Sequence, residues 1–110
     1  MKHITYQGSS WFVDDETADL IVEYAVLLAQ KETADSVDIA ALDDLGNSQR
    51  VTMILGPATM VTVETSSSEL EPPDNGDLIA RVRERIRQYV SPPKAMPGDP
   101  GEVSYLDDLP

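Results

Sequence analysis

The stretch Asp14–Glu32, DDETADLIVEYAVLLAQKE, decides how this chain folds. At about 100° per residue, Thr17, Leu20, Ile21, Tyr24, Leu27 and Leu28 share one broad face. That face predicts an amphipathic helix laid against a core. Asp14 and Asp15 each suit the N-cap, where a short carboxylate accepts from the free N–H groups of the first turn. Glu16 and Asp19 add negative charge beside the positive end of the helix dipole. Asp19, Glu23 and Gln30 cluster on the wet side, and the apolar period runs out between Lys31 and Thr33.

A second apolar strip, Val22, Val26 and Ala29, lies between the core face and the wet face. A helix resting on one sheet does not need it. Either the second helix or a loop covers the strip, or it is the contact surface of a dimer or a partner.

Upstream, His3–Gln7 alternates and carries Ile4, Thr5 and Tyr6, and Ser10–Val13 returns through Trp11 and Phe12. Gly8-Ser9 between them has glycine leading, the preference of a type II′ hairpin turn. Trp11 and Phe12 are the only tryptophan and the only phenylalanine. Adjacent on a strand, they point to opposite faces, one to the core and one to solvent or a neighbour.

Downstream, Ser36–Asp43 and Gln49–Gly56 alternate around the turn residues Asp44–Ser48, which predicts a second hairpin. Gly56-Pro57-Ala58 makes another turn, and Thr59–Thr65 reads as a third strand, giving a meander. Ser66–Asp77, SSSELEPPDNGD, is a loop whose last residue best caps the next helix. In Leu78–Val90, the side chains of Leu78, Ile79, Val82, Ile86, Tyr89 and Val90 make one stripe, bordered by Arg81 and Arg85 on one side and Arg83 and Arg87 on the other. The order ββαβββα predicts an α+β domain over residues 1–90. Its antiparallel sheet carries two helices packed on or beside it, with a split sheet as the alternative.

Residues 91–110 are rich in proline and glycine, and this composition predicts a disordered tail. Its last part interleaves Tyr105, Leu106 and Leu109 with acids. That is the pattern of a short peptide that folds on binding. A plain solubilising tail, or docking onto the Val22/Val26 strip or the arginine helix, are the other readings.

The net charge is −12 and unevenly spread: residues 14–46 hold ten acids and one lysine, whereas residues 78–94 hold five bases and one acid. Such a field opposes nucleic acid and anionic membranes and attracts a basic partner. Cysteine is absent, which fits a reducing compartment. No apolar run approaches the ~20 residues that span a bilayer, and the N-terminal residues show no leader pattern, so a cytoplasmic location is expected.

No catalytic residue, metal ligand or cofactor site is assigned. His3 is the sole histidine, and no glycine-rich phosphate loop occurs. Capping accounts for the acids of Asp14-Asp15-Glu16 and turn chemistry for Asp43-Asp44, whose spacing does not make a calcium loop. The four helical arginines are expected to pair with the protein's own acids.

The hairpin, the DDETAD helix entry, the Leu55-Gly56-Pro57 turn and the Arg-x-Arg-x-Arg helix together resemble small acidic proteins of high-GC bacteria over residues 4–90. The resemblance implies no function. The expectation is a non-enzymatic protein-interaction module with Val22, Val26, Ala29, Tyr105, Leu106 and Leu109 as contact residues, and weak homodimerisation is one form this takes. An acidic neutraliser of a cationic partner (an immunity protein, antitoxin or nucleic-acid mimic) is the alternative. A small enzyme or metal protein is the third reading, and it requires a concave pocket with converging polar groups.

Overall fold

The computed structural model describes residues 1–90. Tyr105, Leu106, Leu109 and the rest of the expected tail lie outside the described residues. The elements are β1 (Lys2–Tyr6), β2 (Ser9–Val13), α1 (Asp15–Gln30), β3 (Asp35–Leu42), β4 (Ser48–Leu55), β5 (Val61–Thr65) and α2 (Gly76–Val90). The expected α+β order is present, with one antiparallel five-stranded sheet and two helices.

The strand order is β4-β3-β2-β1-β5, which corrects the expected meander. β4 and β5 are joined by five residues, Gly56–Met60, yet they do not pair. β5 instead adds to β1, in register from Lys2↔Thr65 to Tyr6↔Val61. β1 is thereby an interior strand, with Ile4 fully buried and Tyr6 nearly so.

The first hairpin also differs from expectation. Its loop is Gln7-Gly8, both at positive φ (52° and 84°), with Tyr6 opposite Ser9. That is a type I′ turn, whose twist matches the flanking strands. The faces of β1 and β2 are as expected, but the cross-strand partners shift by two residues, so Ile4 meets Trp11 rather than Val13.

β2 and β3 share a single register pair, Phe12↔Leu42, because β2 passes into α1 at Asp14. The position beside Ala40 that β2 vacates is taken by a side chain. Asn75 accepts from Ala40 N–H through Oδ1 and donates from Nδ2 to Ala40 C=O, both at 2.8 Å. Asn75 is also where α2 starts, since its C=O accepts the first helical N–H, from Ile79. Asp77, expected as the cap, sits inside the first turn.

The sheet curls. Three strand spacings, roughly 14 Å of flat sheet, separate β1 from β4. Nevertheless, the Tyr6 hydroxyl accepts from Ile54 N–H at 3.0 Å and donates to Ile54 C=O at 3.2 Å. The Trp11 indole N–H similarly crosses to Gln49 Oε1 at 3.0 Å. Trp11 is half-buried against the core, and Phe12 is half-buried on the outer face, its ring 4.7 Å from that of His3. Neither aromatic is fully inside or fully out.

α1 packs into the curl. Thr17, Leu20, Ile21, Tyr24, Leu27 and Leu28 are buried as the periodicity predicts, joined by Ala18. Asp14 is the N-cap, its Oδ2 accepting from Thr17 N–H at 3.0 Å. The helix ends in a Schellman motif: Thr33 N–H bonds to Leu28 C=O and Glu32 N–H to Ala29 C=O. Glu32 occupies the left-handed position at φ 55°, where glycine is the usual residue. α2 buries Leu78, Val82 and Ile86, whereas Tyr89 and Val90, expected on its apolar stripe, are exposed. Among the described residues no helix is long and apolar enough to cross a membrane.

Two predictions follow from these contacts. Glu32→Gly should raise stability by ~1 kcal/mol in urea unfolding, because glycine adopts the left-handed region without a Cβ penalty. Tyr6→Phe should lower it by ~1–3 kcal/mol, because both polar groups of Ile54 lose their partner.

Candidate functional site

Among the described residues nothing covers the apolar strip on α1. α2 packs on the other flank of the helix, and the Gly56–Met60 loop forms a wall beside the strip rather than a roof over it. The result is a groove of about 240 Å³ between Val22, Ala25, Val26 and Ala29 on one side and Gly56, Pro57, Thr59, Met60 and Val61 on the other. Val26 is 52% exposed and Met60 84% exposed. The expected covering by the second helix or a loop is therefore corrected, while Val22, Val26 and Ala29 are brought together on one accessible surface.

The wall is held close by its glycine. A Cβ on Gly56 would lie 3.0 Å from both Ala34 Cβ and Thr33 C=O, so glycine lets the loop seat closely against the segment that follows α1. Thr59 then ties the loop to itself, its hydroxyl bonding to Gly56 N–H and C=O, each at 2.9 Å. Met60 is left pointing outward, a flexible thioether of the kind used by adaptable binding surfaces.

Carboxylates flank the strip. On the helical wheel Asp15, Asp19 and Glu23 form a ridge beside Val22 and Val26. The Met1 amine lies 3.3 Å from Asp15, and Lys2 lies 2.7 Å from Asp19. Glu23 has no ion pair among the described residues. The hydrogen bond to Asp19 raises the Lys2 pKa above its ordinary value, and the charges of Asp19 and Asp15 add to this against the opposing effect of desolvation.

A second concavity, about 360 Å³, lies between the helices and the start of β3, lined by Tyr24, Ala34, Asp35, Arg85, Gln88 and Tyr89. Polar groups do converge here. Tyr24 donates to Asp35 Oδ2 at 2.5 Å, Arg85 pairs with the same oxygen, and Ser36 N–H donates to Oδ1 at 2.9 Å. Burial works to raise the Asp35 pKa, but the hydrogen bonds from Tyr24, Arg85 and Ser36 outweigh it and hold the carboxyl below its ordinary value. Burial, with the Asp35 hydrogen bond second, pushes the Tyr24 phenol up to about 12. Both carboxylate oxygens are committed, so the cluster joins α1, β3 and α2 rather than offering a free base. Sequence reading missed this cluster, because each member comes from a different element.

Two further arginines of α2 are engaged locally. Arg83 pairs with Glu16 and Arg87 with Glu84. With Arg85 on Asp35, three of the four helical arginines thus pair with the protein's own acids, as expected. Arg50 and Arg81 line a third pocket together with Asp38, Asp74 and Asp77, so its charge is mixed. Asp43 organises the β3–β4 turn, accepting from Leu45 and Asn47 N–H at 2.9 Å each. The Asn47 N–H leads the interactions that lower its pKa. Among the described residues no group of three or more potential metal ligands gathers.

No protein-family model, curated protein or solved structure matches this chain.

The depressed pKa of Asp35 has a signed consequence. Its stabilising contacts are fully present above the unfolded carboxylate value, ~3.9, and are lost as the pH falls below it through the folded value. Asp35→Asn should cost about 1–2 kcal/mol at neutral pH, between an exposed pair and a charged hydrogen bond. The variant should also lose less stability than the native chain between about pH 5 and pH 2. Denaturant midpoints across that range check both.

Proposed function

We propose that this protein is a non-enzymatic interaction module whose α1–loop groove takes a cationic, apolar-bearing segment of another protein. One observation carries the reading. Val22, Val26, Ala29 and Met60 form an accessible apolar surface that the described residues leave uncovered, and a carboxylate ridge runs beside it. A buried face on the same helix already satisfies the core. The net charge of −12 supplies the long-range attraction for a basic partner. The absence of cysteine fits a reducing, cytoplasmic setting.

The charge alone supports a second reading, an acidic neutraliser whose contact is spread over α1 and does not use the groove. Salt separates the two. At ~1 M salt the screening length is ~3 Å, so a charge-driven complex dissociates while an apolar contact persists.

The test is selection from a random peptide display library on the immobilised full-length chain. Enriched peptides should combine Lys or Arg with Val, Ile or Leu, and should bind Val26→Asp at least ~10-fold more weakly, a change of ~1.4 kcal/mol. Val26 is half exposed, so circular dichroism of the variant should match the native chain. Peptides that bind the variant equally well, or a selection that enriches nothing, overturn the groove reading. Equal binding to the variant that vanishes at high salt points to the neutraliser.

A further inference from the structure

We propose that the partner segment enters the groove as an extended strand and adds to the open edge of β5, with basic residues alternating with apolar ones. This rests on the groove being a protein-binding site, and it specifies the conformation and pattern of the occupant.

Among the described residues β5 is paired with β1 alone, and its other edge presents backbone N–H and C=O groups. Edge strands are normally blunted by lysine, proline, a bulge or a covering side chain. β5, Val-Thr-Val-Glu-Thr, carries one exposed charge, Glu64, but no lysine, proline or bulge, and among the described residues no side chain bonds to its backbone. The opposite edge is handled differently. On β4 the Tyr6 hydroxyl occupies both polar groups of Ile54, and an exposed Arg50 stands on the strand. Among the described residues one edge is engaged and the other is left free.

The groove leads to the free edge. Val61 is both a wall of the groove and the first residue of β5. Val61 and Val63 pack partly against the core under α1, whereas Thr62 and Glu64 are exposed on the far face. A strand added beside β5 keeps this alternation. Every second side chain then faces Val22, Val26 and Met60, which selects apolar residues. The intervening ones face Thr62 and Glu64, and opposite charges paired across strands are favourable, which selects Lys or Arg. Among the described residues the one ion-pairing neighbour of Glu64 is His3, at 3.7 Å.

Charge also argues against the other occupants. A second copy would bring Glu23 and Glu64 against the same carboxylates. The chain's own Val103–Pro110 would bring Asp107 and Asp108. A cationic segment of another protein meets neither repulsion.

The probe is a synthetic peptide of about eight residues alternating Val and Lys, roughly 27 Å when extended. It is compared with two N-methylated versions, each blocking one alternate set of amides, and with a basic amphipathic helical peptide. Strand addition requires that one methylation pattern weaken binding at least ~10-fold while the other is tolerated, since only one set of amides faces β5. Bound peptide should also slow hydrogen exchange of those β5 amides that point away from β1. Equal tolerance of both patterns, or preference for the helical peptide, overturns strand addition while leaving the groove reading in place. If neither peptide binds, both fall. Concentration-dependent dimerisation of the full chain that Val26→Asp abolishes makes a second copy the occupant and overturns the proposal. Shifts of residues 103–109 in NMR spectra of that variant, relative to the native full chain, assign the groove to the tail and overturn it equally.

Discussion

The fold depends on two side chains that each do the work of a missing strand residue. β2 leaves the sheet at Asp14 to become α1, after sharing one register pair with β3. Buried backbone groups without partners are costly, so the vacated ladder has to be completed by something else. Asn75 supplies one donor and one acceptor to Ala40 in that ladder, and the Tyr6 hydroxyl does the same for Ile54 on the outer edge of β4, where the sheet ends. Asn75 thereby fixes where α2 begins, and Tyr6 fixes how far the sheet curls. With both in place, α1 lies in a concave sheet rather than on a flat one.

That concavity explains why α1 has two apolar surfaces. A curled sheet and a second helix enclose the face from Thr17 to Leu28. Val22, Val26 and Ala29 then lie on the flank beyond the curl, beside the crossover from β4 to β5. The same crossover that separates β4 from β5 creates both the groove wall and the open edge. The polar cleft around Asp35 belongs to a different problem, that of attaching α2. Its charges are matched within the fold, whereas the groove is apolar at its centre and acidic at its rim.

Much of α1 could be read in advance because its core residues obey one period that no tertiary contact overrides. The strip was visible for the same reason, as apolar residues on the wrong side of an amphipathic helix. Strand pairing was not visible. Val61, Val63 and Thr65 alternate in the same way whether β5 pairs with β4 or with β1, so periodicity alone does not choose the partner. The hairpin loop was misplaced because Gly8 has positive φ as the leading residue of one turn type and as the second residue of the other. Asn75 reads as a turn residue in Pro-Pro-Asp-Asn-Gly, and its partner lies 35 residues away on β3. The Tyr24–Asp35–Arg85 cluster joins three elements whose spacing carries no periodic signal.

The pairing of Lys2 with Thr65 also sets an order of assembly. Loop closure across most of the described chain is entropically dearer than closing the two local hairpins, and long-range pairing of this kind is slow. By that argument the local β1–β2 and β3–β4 hairpins are expected to form before β5 joins β1. Until it does, β1 is itself an unpaired edge flanked by Ile4 and Tyr6. During synthesis the chain therefore passes through a form with a more apolar open strand than the finished fold shows. Aggregation pressure on this protein is greatest in that interval.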